Sequence, residues 1–175
     1  GGDGIDSNGS IEMTGGVLLV DGPTNDGNGP LDYMGTFNIS GGTLVAVGSL
    51  GMAQAPSASS TQPSIFIGLN QALSASTLIH LQTDSGQSIL TYAPSKEYRS
   101  VLISSPELVI GESYSLFTGG SSSGEIDSNL YLNGEYQPGT ELTQLTVDSI
   151  VATYGTNAGQ GGGGFPPGGG GGRRP

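Results

Sequence analysis

Gly4-Ile5-Asp6-Ser7-Asn8-Gly9-Ser10-Ile11-Glu12-Met13-Thr14-Gly15-Gly16-Val17-Leu18-Leu19-Val20-Asp21-Gly22 returns twenty-six residues later, without a gap, as Pro30-Leu31-Asp32-Tyr33-Met34-Gly35-Thr36-Phe37-Asn38-Ile39-Ser40-Gly41-Gly42-Thr43-Leu44-Val45-Ala46-Val47-Gly48. Asp6 falls on Asp32, Gly9 on Gly35, Gly15-Gly16 on Gly41-Gly42, Leu18 on Leu44 and Gly22 on Gly48. Elsewhere character is kept without identity: Ile11 meets Phe37 and Met13 meets Ile39. A period of this length marks stacked units, each burying its apolar face against the next. Within a unit, Ser10 to Thr14 alternates polar and apolar as a half-buried strand does, and Gly15-Gly16 bends the chain into a second strand, Val17 to Val20. Equivalent strands of successive units would lie parallel and in register, with the rest of the period as crossover. That is one turn of a parallel β-helix. An antiparallel sandwich of Gly-Gly hairpins would use the same alternation, but hairpins do not require a constant repeat length.

Composition supports an all-β chain. Thirty-three glycines in 175 residues, with few Lys, Arg and Glu, disfavour long helices. Fifteen acidic residues stand against four basic ones, giving a net charge of −11 and a field that repels nucleic acid and anionic lipid. There is no cysteine, hence neither disulfide nor thiolate chemistry. No apolar run reaches the roughly 20 residues of a membrane span. Beginning inside a repeat, the chain reads as the C-terminal portion of a longer protein, with an unpaired strand edge at its start.

Three regions follow. Residues 1–55 hold the β-helix coils. Residues 56–155 continue as a β-rich cap over the exposed end, after an excursion from Gly48 to Ser64 rich in Gly, Ala, Ser, Pro and Gln. Strands are expected at Ser64–Leu69, Ser76–Gln82, Ser88–Ala93, Arg99–Ser104, Glu107–Ile110, Tyr114–Thr118 and Leu142–Tyr154. Turns at Asp84-Ser85-Gly86 and Pro106 would join antiparallel neighbours. Residues 156–175, rich in glycine and proline, read as a flexible tail.

Aspartate and asparagine crowd the turns of the repeat: Asp3, Asp6 and Asn8 in one, then Asp21, Asn25, Asp26, Asn28 and Asp32. Stacking brings Asp6 above Asp32, a like-charge pair that calls for neutralisation. Hard oxygen donors on glycine-bent loops suit Ca²⁺, with Asp3, Asp6, Asn8, Asp26 and Asp32 as its ligands. The alternative is that these residues only form turns, since the spacing of an EF-hand is missing.

Catalysis is not expected. The one histidine, His80, lies in an apolar run and reads as structural. No serine occupies a Gly-x-Ser-x-Gly elbow. A β-elimination of uronates wants a base, and the repeat region has no Lys or Arg. For sugar binding, Tyr33 is the candidate platform, because its repeat-mate is Ser7 and an outward position follows. Tyr92, Tyr98, Tyr131 and Tyr136 read as partly buried strand residues.

Gly2-Asp3-Gly4-Ile5-Asp6-Ser7-Asn8-Gly9-Ser10, Gly41-Gly42-Thr43-Leu44-Val45, Gly51-Met52-Ala53-Gln54-Ala55-Pro56 and Val101 to Pro106 resemble secreted carbohydrate-binding β-helix proteins of clostridia and related bacteria. The resemblance implies a right-handed parallel β-helix with bound calcium, a pectate-lyase-like shape, and affinity for cellulose or pectic polymers at the bacterial cell surface. Asp3, Asp6, Asn8 and Asp32 carry over as calcium ligands. A non-catalytic, extracellular polysaccharide-binding module is therefore the leading expectation. A structural surface protein whose β-helices assemble end to end into filaments is the alternative.

Overall fold

The computed structural model describes residues 2–156, so the expected tail lies outside the described residues except for Thr156. The described chain is all-β, with fifteen strands and no helix. They are β1 (Ile5–Ser7), β2 (Ile11–Asp21), β3 (Leu31–Tyr33), β4 (Phe37–Gly48), β5 (Ser64–Leu73), β6 (Ile79–Thr83), β7 (Ser88–Tyr92), β8 (Tyr98–Ser104) and β9 (Ser113–Thr118), followed by β10 (Ser121–Ser122), β11 (Glu125–Asp127), β12 (Leu130–Leu132), β13 (Tyr136–Gln137), β14 (Thr140–Thr146) and β15 (Val151–Gly155).

The 26-residue repeat is realised as stacking. β1 pairs with β3 in parallel, Ile5 on Leu31 and Asp6 on Asp32. β2 pairs with β4 in parallel, Ile11 on Phe37, Met13 on Ile39 and Leu18 on Leu44. Backbone bonds continue the register between strands, from Met34 N–H to the Ser7 carbonyl (3.1 Å) and from Gly22 N–H to the Val47 carbonyl (2.7 Å). Hairpins at Gly-Gly are thereby ruled out for this region. The two short strands expected on either side of Gly15-Gly16 are one bent strand, and the pairing shifts at the bend. Gly16 and its mate Gly42 both have left-handed dihedrals, φ 81° and 94°. A Cβ on Gly42 would lie 2.6 Å from the Gly16 carbonyl oxygen, so neither shape nor space admits a side chain there.

The stretch 49–63 is not a free excursion. It lies along the far edge of the second unit and satisfies its backbone, largely through side chains. Gln54 Oε1 accepts from Tyr33 N–H (2.9 Å), Ser57 Oγ from Phe37 N–H (3.0 Å) and Ser60 Oγ from Ile39 N–H (3.1 Å), while Gln62 Nε2 donates to the Gly42 carbonyl (2.8 Å). Small polar residues suit this task because a strand edge needs both donors and acceptors.

Beyond this, β4 joins a five-stranded sheet in the order β15-β5-β8-β4-β2, where β8 runs antiparallel to both neighbours and the other pairs are parallel. A six-stranded sheet, β11-β12-β7-β6-β9-β14, is antiparallel throughout. The five-stranded sheet is covered on both faces. Val45, Val47, Ile65, Ile67, Val101 and Ile103 point into a core shared with Ile79, Leu81, Tyr114 and Leu116 of the six-stranded sheet. Leu44, Ala46, Phe66 and Leu102 point the other way, to Leu31, Phe37 and Ile39 inside the stacked units. Central strands buried on both faces read as unbroken apolar runs, as Leu44 to Val47 and Val101 to Ile103 do.

Two strand expectations fail. Glu107–Ile110 is a turn that carries the chain from one sheet to the other, so the bend at Pro106 does not join antiparallel neighbours. Leu142–Tyr154 is two strands in different sheets, β14 and β15. The turn at Asp84-Ser85-Gly86 does join an antiparallel pair, β6 and β7.

Candidate functional site

The acidic turns sort into two roles. Asp6 and Asp32 are direct partners in the β1–β3 ladder, the first exposed and the second half-buried. Asp3 and Asp26 are engaged with the neighbouring layer: Asp3 Oδ1 accepts from Gly29 N–H (2.7 Å) and Asp26 Oδ1 from Gly51 N–H (3.2 Å). Asn25 closes its own turn, its Oδ1 accepting from Gly27 N–H (3.2 Å) and Asn28 Nδ2 (2.9 Å). Asn8 is exposed on the turn after β1. Among the described residues no three acidic, histidine or cysteine side chains are grouped to hold a metal ion. The donors are all oxygen, as calcium takes. They are not arranged as an acidic cage among the described residues, and the one pair of carboxylates in register is Asp6 and Asp32.

Tyr33 is half-buried rather than outward-facing. Its hydroxyl donates to the Ala55 carbonyl (2.5 Å), and its ring stands edge-on to Phe37, centroids 6.0 Å apart at 83°. Burial raises its phenol pKa, partly offset by a hydrogen bond with Ser57. The repeat-mate Ser7 misleads here because only the second unit is packed beneath residues 49–63. Tyr92 and Tyr98 are buried outright, while Tyr131 and Tyr136 are half-buried.

His80 is buried on the outward-facing row of β6. Its Nδ1 lies 2.7 Å from Thr91 Oγ1, its Nε2 lies 3.1 Å from Gln82 Oε1, and Tyr136 stacks on it with centroids 3.8 Å apart at 14°. An amide oxygen only accepts, so Nε2 carries the proton and Nδ1 accepts from the Thr91 hydroxyl. Burial lowers the histidine's pKa below its ordinary value, against a smaller opposing effect of Gln82. This is a structural placement.

An open groove was not foreseen from the sequence. It has a volume of about 480 Å³ and runs between β5, β14 and β15, lined by Ile67, Leu69, Asn70, Gln71, Leu142 and Tyr154 among others. Its upper wall exists because β5 leaves its ladder: Gly68 faces Ser100, yet Leu73 faces Tyr98, so residues 69–72 bulge against Arg99 alone. Arg99 Nε donates to the Leu69 carbonyl (3.2 Å), and Nη2 reaches the Asn70 carbonyl at 3.5 Å. The bulge leaves Asn70 and Gln71 exposed. Tyr154 is held by its hydroxyl, which accepts from Thr146 N–H (3.1 Å) and donates to the Thr146 carbonyl. An immobilised aromatic ring beside exposed amides can recognise a ligand with both an apolar face and a hydroxylated rim.

Comparison with protein-family models, with curated proteins and with solved structures finds no match. The functional reading therefore rests on the chain's own chemistry.

Proposed function

We propose that the chain is a non-catalytic, extracellular polysaccharide-binding module on a right-handed parallel β-helix, of which the two stacked 26-residue units are successive turns. The observation that carries the binding function is the open groove with its anchored Tyr154 and exposed amides. Stacking of Asn38 on Glu12, with Ser59 beyond, also supplies a row of polar side chains, where Asn38 Nδ2 donates to Glu12 Oε1 (2.9 Å) and Ser59 Oγ donates to Asn38 Oδ1 (2.5 Å). The test is a pull-down on cellulose and on polygalacturonate, with and without chelator. Retention on either polymer supports the reading, and failure on both removes it.

Calcium belongs to the same proposal. The ion would bridge Asp6 to Asp32 and neutralise a like-charge pair held at strand spacing. Its role is stability, so chelator should lower the melting temperature of the parent chain and leave an Asp6→Asn/Asp32→Asn variant unmoved. A parent chain whose melt ignores chelator retires the ion.

A second reading, assembly into filaments, is favoured by a specific observation. The outer edge of β15 pairs with no other described strand, and an open parallel edge can take a strand of a second copy in an arrangement without closure. Sedimentation velocity at high concentration with calcium distinguishes the two readings, since a monomer throughout leaves the filament without support.

A further inference from the structure

We propose, resting on the polysaccharide-binding reading above, that the groove between the β5 bulge, β14 and β15 is a subsite for a neutral hexopyranose chain, with Tyr154 as its stacking platform. Four observations converge on it. The first is the bulge: four residues of β5, 69 to 72, stand against the single residue Arg99 of β8. Bulges re-aim side chains, and this one turns Asn70 and Gln71 out of the ladder. It is also secured, because two of its four carbonyls, those of Leu69 and Asn70, accept from the Arg99 guanidinium. Asn70 is tied further by the Thr156 hydroxyl, which donates to its Oδ1.

The second is Tyr154. Its hydroxyl takes both the N–H and the carbonyl of Thr146, so the ring is fixed through its polar end while it lines the groove. A ring held this way loses little freedom on binding. The third is the floor, where Leu142 remains 41% exposed beside the half-buried Leu73. The C–H face of a pyranose covers such surface, while its hydroxyls meet Asn70, Gln71 and Thr143 at the rim. Amides suit hydroxyls because they both donate and accept.

The fourth observation sets the charge of the ligand. Among the described residues no side chain lining the groove is ionisable except the tyrosine, in a chain with fifteen acidic residues against four basic. A uronate would meet the negative field of the whole chain and find no lining cation to receive its carboxylate. A neutral sugar escapes both costs. The volume, about 480 Å³, lies within the range of roughly 300–1,000 Å³ usual for small-ligand pockets.

The test is calorimetry and affinity electrophoresis of the full chain with cello-oligosaccharides, a soluble neutral β-glucan and polygalacturonate. Gln71→Ala, at an exposed position, and Tyr154→Ala are compared with the parent. The parent should bind the neutral ligands. Gln71→Ala should weaken them about three- to tenfold and Tyr154→Ala about tenfold. Tyr154→Phe, which keeps the ring and drops the anchor, should fall between parent and Tyr154→Ala. If the parent binds neutral glucan and Gln71→Ala binds it equally well at an unchanged melting temperature, the groove is not the site, while the polysaccharide reading stands. If the parent binds only polygalacturonate, neutrality is wrong. If it binds no polymer, the broader reading fails and takes this one with it. Binding of anilinonaphthalene sulfonate that the oligosaccharides fail to displace would overturn the proposal in favour of a wholly apolar ligand.

Discussion

Asp21, at the end of β2, joins the stacked units to the rest of the chain through one side chain. Its carboxylate accepts from the Tyr92 hydroxyl (2.9 Å), the Ser95 N–H (2.9 Å) and the Ser95 hydroxyl (2.5 Å), and Lys96 Nζ donates to its carbonyl (2.7 Å). Tyr92 is buried, which raises its phenol pKa, and the adjacent Asp21 adds to the shift. Asp21→Ala would strand that hydroxyl. We expect a loss of roughly 1–3 kcal/mol, read as a lower urea midpoint; an unchanged midpoint would show that water replaces the carboxylate at no cost. His80 supplies a pH prediction. Its folded pKa lies below the unfolded value of about 6.5. As pH falls through 6.5 the unfolded chain takes a proton that the folded chain refuses, so stability drops until the folded pKa is reached. The groups around it are Tyr136 in the stack, Thr91 and Phe117 on either side, and Glu141 opposite Phe117 on β14. The parent should therefore lose more urea midpoint between pH 7 and pH 5 than His80→Gln does, and parallel profiles would discharge His80 of this role.

At the scale of elements, two glycines with similar dihedrals separate strain from space. Gly42 has φ 94° and would press a Cβ to 2.6 Å from the Gly16 carbonyl oxygen, while Gly86 has φ 86° with nothing within 4 Å. Gly86→Ala should cost about 1–2 kcal/mol for the left-handed backbone alone. Gly42→Ala should cost about 1–3 kcal/mol more, because strand stacking closes around it. Equal midpoints for the two variants would mean the units yield at the bend. The β5 bulge makes a kinetic prediction: Arg99→Ala should speed amide exchange at residues 69–72 while leaving β4 amides protected. The register of the units was legible because equal spacing and matched glycines leave one way to stack, and Asp6 over Asp32 follows from the same count. Other elements were opaque for physical reasons. Glu107–Ile110 carries apolar residues in a row, yet Val109 and Ile110 are 52% and 50% exposed, and Gly111 ends the segment with φ 94°. Asn70, Gln71 and Tyr154 gave no local signal, since the bulge exists only through mismatch with a strand some thirty residues on. Tyr33 was misplaced because the two units are alike in sequence and unlike in what covers them.

For the whole molecule, the decisive feature is one sheet serving two cores. Leu44 and Ala46 face Phe37 and Ile39, whereas Val45 and Val47, next to them in sequence, face Ile79 and Leu81. Neither core can lose order without exposing the opposite face of β4, β5 and β8, so the stacked units and the second half should unfold together. Phe37→Ala tests this from the far side. Phe37 is fully buried in the core of the stacked units, and its truncation should cost roughly 3–5 kcal/mol. Tyr92, Tyr98 and Tyr114 belong to the other core and, in a Tyr33→Phe background that removes the tyrosine beside Phe37, report on it in the near ultraviolet, undiluted by tryptophan, which the chain lacks. If the cores are coupled, the near-ultraviolet transition of Phe37→Ala moves to lower urea by as much as the far-ultraviolet one, and the two remain superimposed. If the tyrosine signal keeps the parent's midpoint while strand signal is lost early, β4 has released its stacked partner and the shared sheet does not bind the halves into one cooperative unit.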